Sequence, residues 1–328
     1  MNTRSCFNAL DVGKFVAALL VVAIHANPFE HMGAFGEMMN SCILRLAVPF
    51  FFLSSSFLFF RRTPHWGGVL HYVKRILLLY IFWALFSIPI FYIYHTPPYG
   101  HPIGIMQLVS NFFLSSVYPG SWFLITSVEC VLLIWLLTYR LNSLFVFVIC
   151  LFLFLFYHRI FDNFLDNSIV LSLHKYEGNW AYASIYFFLG KWIADHENIL
   201  IKSHSMRWGG YSLFLLLLDI VSFFLLYPYA FEVHTYMLPI ISCTIVLFVL
   251  NAEISVKLPY KEIRKMSISF YLSHFTFVAL IAFILHHYFS HDWSLLRYIL
   301  VIFCCFILFL ILNSLSSKKG FSWLKYAF

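Results

Sequence analysis

Apolar residues run along this chain in long blocks separated by short polar stretches. The blocks fall near residues 9–27, 42–60, 73–95, 121–139, 142–158, 180–195, 209–227, 235–251, 267–289 and 294–316. About 20 consecutive apolar residues carry a helix across a bilayer. The pattern therefore predicts an all-α bundle of about ten transmembrane helices, the fifth and sixth being short for a full crossing. Residues 100–119 are only patchily apolar and read as an interfacial helix or a re-entrant piece. No internal repeat, low-complexity tract or Ser/Gly-rich linker is evident, so residues 1–328 read as a single transmembrane domain with no soluble domain.

Composition narrows the class further. Of 328 residues, 62% are hydrophobic and 11% charged, and Phe alone occurs 40 times. Soluble domains carry about 45–50% apolar and about 25% charged residues, so this chain cannot keep its apolar surface from water. A soluble fold is excluded, and with it nucleic-acid binding as the main function. The seven cysteines lie mostly inside apolar blocks. An odd, scattered count is neither a disulfide framework nor a zinc pattern, so they read as small core residues and no metal is expected. Asp11 and Lys14 break the start of the first block, which marks it as a retained helix and not a signal peptide.

Charge placement gives an orientation. With ten spans and the N-terminus inside, all but four of the 21 basic residues fall on the cytoplasmic side. The exceptions are Arg45, Arg159, Lys175 and Arg297. This asymmetry follows the positive-inside rule, and one miscounted span would invert everything after it. Both termini are expected in the cytoplasm, in a membrane expected to be the bacterial inner membrane.

Polar groups inside the spans carry the candidate chemistry, because a charge in mid-helix costs about 2.5–3.5 kcal/mol on insertion scales. In LDVGKFVAALLVVAIHAN, Lys14 and His25 are separated by three helical turns plus about 20°, so they share one face about 16 Å apart. Asp11, three residues before Lys14, is placed to partner it. Histidine exchanges protons near neutral pH and suits a general base; a satisfied core histidine and a snorkelling lysine are the plain alternatives. In RLAVPFFFLSSSFLFFRR, Arg45 needs a partner or an aqueous cavity. Pro49 frees a backbone carbonyl, and Ser54, Ser55 and Ser56 can re-satisfy the helix. Glu129, Asp219 and His274 lie in later spans, with a buried, paired role favoured for Asp219. His286, His287 and His291 read as a wet interfacial patch. The basic runs RRTPHWGGVLHYVKR and KLPYKEIRK serve topology first, and can also hold phosphates.

These stretches resemble, in order, the membrane-bound acyltransferase-3 family, whose members O-acetylate sugars and surface polysaccharides. LDVGKFVAALLVVAIH is similar to that family's first helix, with a basic residue, ten intervening residues and a histidine. RLAVPFFFLSSSFLFF resembles its second helix, with Ser55-Ser56 where Ser-Gly is common. HYVKRILLLYIFW, GSWFLIT, YFFLGKWIA and ISFYLSH resemble the third-helix entry, a Trp-Phe-Leu motif, a sixth-helix Gly motif and a ninth-helix Ser-Tyr-Leu-His pattern. The third helix departs from the frequent Arg-x-x-Arg, since Leu78 stands where the second arginine would be, which weakens the role carried onto Arg75.

The resemblance implies an acyl-CoA-dependent O-acetyltransferase. Acetyl-CoA would approach from the cytoplasm, with its phosphates on Lys74 and Arg75. His25 would act as base, and Lys14 would orient the site or bind CoA. Arg45, Trp122 and His274 would shape the acceptor side. The acceptor would be a hydroxyl of an envelope or exported polysaccharide or of its lipid-linked precursor, reached directly or through an acyl-enzyme. Two other readings are a transporter or flippase for a lipid-linked glycan, and a non-catalytic membrane sensor or partner subunit. Oligomeric state is not legible.

Overall fold

A computed structural model of the chain describes residues 7–62, 64–94, 120–158, 179–201, 205–226, 230–288 and 293–328. Ten helices of fifteen or more residues occur among them, one for each apolar block. They are α1 (Asn8–Ala26), α2 (Gly33–Phe60), α3 (Trp66–Tyr94), α4 (Trp122–Arg140) and α5 (Ser143–Tyr157). Then come α6 (Asn179–Asp195), α7 (Ser205–Leu225), α8 (Ala230–Asn251), α9 (Tyr260–Tyr288) and α10 (Ser294–Ser316). Eight are long and apolar enough to cross a membrane; α5 and α6, at 15 and 17 residues, are the two short ones expected from the sequence. The protein is an all-α polytopic membrane bundle. The 100–119 stretch, Arg159, Lys175, His291 and the side chains of His286 and His287 lie outside the described residues.

The chain divides into two compact units, Met1–Phe51 with Glu197–Phe328, and Phe52–His196. In the first unit, α1 packs along α9 and α10, and α7 pairs with α8. In the second, α6 packs on α4 and α5, and α3 on α4.

Helix faces are sorted for lipid. On α7, Ser212, Asp219 and Phe223 are buried, whereas Leu213, Phe214, Leu217, Leu218, Val221 and Phe224 are exposed. That arrangement places the ionisable group inside the protein and apolar side chains outward, as the cost of intramembrane charge requires.

Local signals set the ends. Asn142 caps α5 by accepting from the Phe145 N–H at 3.0 Å. Asn27 closes α1 in the left-handed conformation (φ 46°), its N–H reaching the Ala23 carbonyl at 2.8 Å. Lys265 on α9 donates to Asn313 on α10 at 2.8 Å and lies over the Phe328 ring.

α2 is irregular upstream of Pro49. Its first turns are α-helical, Met39–Ile43 form a π-turn and Leu44–Leu46 a 3-10 turn, before regular helix resumes at Ala47. Proline lacks the N–H that would bond the carbonyl four residues back and crowds that carbonyl, so the disturbance falls on the N-terminal side. Ser56 does not repair it: its hydroxyl donates to the Phe187 carbonyl of α6 at 2.5 Å. There α6 comes very close. A Cβ added to Gly190 would stand 2.6 Å from both the Leu53 carbonyl oxygen and the Ser56 Cβ, so glycine is required by contact and not by conformation.

Candidate functional site

The functional geometry of the first unit is organised on α1. Both ends of this helix are tied down. At its start, Asp11 is buried and takes a bidentate pair from Arg264 of α9, Nε to Oδ1 at 2.8 Å and Nη2 to Oδ2 at 2.6 Å. This fork geometry is among the stronger charge-assisted contacts. It replaces the Asp11–Lys14 pairing suggested by spacing along one helix: a long-range guanidinium, not the neighbouring lysine, satisfies both carboxylate oxygens. At the other end, Arg297 of α10 donates from Nε to the Ala26 carbonyl at 3.0 Å and from Nη2 to Glu30 at 3.3 Å. A cation on a terminal carbonyl satisfies an orphan acceptor and suits the helix dipole.

Between these anchors, His25 meets α9. Its ring centroid lies 5.0 Å from that of His274 and 5.7 Å, edge to face, from Phe275. His25 lies next to buried Ala26, one turn beyond buried Val21 and Val22, yet is itself exposed. His274 is fully buried. Its Nδ1 lies 2.6 Å from the Tyr271 carbonyl oxygen. A carbonyl only accepts, so Nδ1 carries the proton and Nε2 presents a lone pair. That Nε2 is buried with no hydrogen-bond partner among the described residues. The pair therefore combines one accessible imidazole with one whose tautomer is set by the backbone, an arrangement able to take a proton from an incoming hydroxyl and to accept a second hydrogen bond.

The remaining predicted residues are distributed as follows. Lys14 is half-buried on α1, and Arg45 is half-buried in the 3-10 turn of α2. Both belong to the same unit as His25 and His274. Lys74 and Arg75 are exposed on α3, and Trp122 opens α4 with its ring 5.7 Å from Phe52; these three belong to the second unit. Glu129 is half-buried on α4. Asp219 is buried and bonded to His234 of α8, the paired role favoured from the sequence. Sequence reading overlooked Arg264, Arg297 and His234. Arg264 counts from the sequence only as a cytoplasmic topology charge and Arg297 only as an exception to it, and their partners lie hundreds of positions away.

A polytopic helical membrane protein with a histidine pair at the crossing of its first and ninth helices is the class defined by fold and site. A family model for acyltransferase-3, described as an acyltransferase domain, matches residues 7–314. The chain belongs to the acyltransferase-3 family, and it is a polytopic integral membrane protein. The match runs through both compact units.

Curated relatives are named differently. An amino-acid racemase of Enterococcus faecalis is 28% identical over 234 residues, 66% of this chain and 32% of that protein. A second from the same organism is 24% identical over 95% of this chain and 46% of its own length. A serine/alanine racemase of Enterococcus gallinarum is 27% identical over 35% of this chain and 17% of its own. The chain thus spans less than half the length of these relatives. No solved structure matches.

Proposed function

We propose that this protein transfers an acetyl group from acetyl-CoA to a hydroxyl of an envelope or exported polysaccharide, or of its lipid-linked precursor. The observation that carries the reading is the accessible His25 set against buried His274 in a chain of an acyltransferase family.

The chemistry balances without a further reactant. His25 removes the acceptor hydroxyl proton as the oxygen attacks the thioester carbonyl. When the tetrahedral intermediate collapses, the C–S bond breaks and the CoA sulfur leaves with the proton held by His25, giving an ester and free thiol. His274, through Nε2, accepts a hydrogen bond that orients His25 or the acceptor. Lys14, on the same helix face as His25, orients the site from the other end of the span. Lys74 and Arg75 are exposed cations of the type that binds CoA phosphates, and Arg45 and Trp122 belong to the acceptor side. Donor entry from the cytoplasm, both termini inside and residence in the bacterial inner membrane complete the reading.

The test is ester-linked acetate on surface glycans of cells lacking the protein, or expressing wild type or His25→Ala at matched membrane levels. Acetate restored by wild type alone is expected. Equal acetate in all three strains overturns the glycan assignment. The relatives' names, an amino-acid and a serine/alanine racemase, favour one second acceptor, the hydroxyl of an amino acid such as serine. Purified protein given acetyl-CoA and serine, with thiol release followed, separates the two acceptors. Transport of a lipid-linked glycan without thiol release would point to the flippase reading.

A further inference from the structure

A second cluster of donor atoms lies where α2, α7 and α8 meet in the first unit. Cys42, in the π-turn Met39–Ile43, is fully buried, as is Asp219 on α7; His234 on α8 is 1% exposed. One donor atom from each lies within 4.8 Å of the other two. His234 Nδ1 is bonded to Asp219 Oδ2. Asp219 Oδ1 and His234 Nε2 are buried with no hydrogen-bond partner among the described residues. Each such orphan costs about 1–3 kcal/mol, and an Asp–His pair maintained only for packing gives no reason to accept two of them. Apolar Phe223, Met38 and Ile220 pack around Cys42, so the surroundings do not offer water freely.

A thiolate, an imidazole and a carboxylate are ordinary zinc donors. Charge favours the same ion. A dication with one thiolate and one carboxylate sums to zero, whereas a carboxylate buried at this depth with only an imidazole and a thiol beside it remains a costly charge. The backbone agrees, since single π-turns inside helices recur at functional positions, and this one presents Cys42. We propose that Cys42, Asp219 and His234 bind a zinc ion, with the fourth position left to an exchangeable ligand. On binding, the thiol releases its proton. The imidazole lends the lone pair of one nitrogen and keeps its proton on the other.

The site is linked to the end of α1 by a short path. Asn40 donates to Asn27 at 3.2 Å; Cys42 lies two residues beyond Asn40, and His25 two residues before Asn27. Zinc bound here holds the α2 turn against α7 and α8, and through the Asn27–Asn40 bond steadies the C-terminal end of α1. The proposal does not depend on the acceptor assigned above.

The test uses the full chain purified in detergent without chelator. Zinc is measured by mass spectrometry in wild type, Cys42→Ala, Asp219→Asn and His234→Gln, with size-exclusion profiles as a folding control. Near-stoichiometric zinc in wild type and about a tenfold lower content in each variant is expected. Cobalt(II) loaded into wild type should give a near-ultraviolet thiolate-to-cobalt band that added zinc abolishes. Because this second reading uses wild type alone, it decides the matter even where the variants do not fold. Zinc content in wild type no higher than in folded Cys42→Ala, or cobalt uptake without the thiolate band, overturns the site.

Discussion

The imidazole rings of His25 and His274 lie with centroids 5.0 Å apart and planes inclined by 36°. One ring is accessible, and the other is buried with its Nδ1 proton committed to the Tyr271 carbonyl. Two nearby bases in different environments are suited to divided work, one exchanging a proton and the other orienting.

Removal of the accessible base should affect turnover directly. His25→Ala and His25→Gln are expected to lower acetyl transfer by about 10²–10⁴-fold, the usual contribution of a general base. CoA thiol release by detergent-purified protein measures it. Variants with wild-type turnover would remove His25 from the chemistry.

His274 acts through its acceptor nitrogen, so a substitution that retains an acceptor should be milder. His274→Gln is expected to keep much of the activity, whereas His274→Phe should lose about 10²-fold, mainly in kcat, as misplacement of a reacting group does. Equal losses in the two would assign His274 to packing alone.

Lys74 and Arg75, as exposed cations, are expected to act on donor affinity. Lys74→Gln with Arg75→Gln should raise KM for acetyl-CoA about tenfold with kcat little changed, the signature of binding used equally in ground and transition states. The shift should shrink as salt rises, because exposed charges are screened. A fall in kcat at unchanged KM would contradict this role.

The Asp11–Arg264 pair should show coupling. The Arg264 side chain is 54% exposed, so screening limits the interaction to about 1 kcal/mol. In a double-mutant cycle, Asp11→Asn and Arg264→Gln together should cost less than the sum of the single losses in thermal stability. Additive losses would mean that the contact is incidental.

Gly190 offers a purely steric test. Gly190→Ala brings a methyl to 2.6 Å from the Leu53 carbonyl oxygen, and overpacking of this kind costs about 1–3 kcal/mol. Ser56→Gly should relieve only part of the loss, because Leu53 contributes backbone. Full rescue would show that the side chain was the whole obstacle.

How much of this was legible depends on the range of the physics. Burial of about 20 apolar residues in lipid is a property of a local window, so ten blocks became ten helices among the described residues, most ends within five residues of the block and the starts of α2, α3 and α9 seven to nine residues earlier. Helical period likewise set Lys14 and His25 on one face before any tertiary contact was known. The π- and 3-10 turns ahead of Pro49 were half-visible, since proline marks a break without saying how neighbouring turns absorb it. Which helices meet, and how each is rotated, lies beyond any window. The meeting of His25 with His274, the capture of Asp11 by Arg264 instead of Lys14, and the convergence of Cys42, Asp219 and His234 each join residues from different helices. Only packing of the assembled bundle decided them, because the cost of an unpaired buried polar group is met by whichever partner the fold brings near, not by the nearest in sequence.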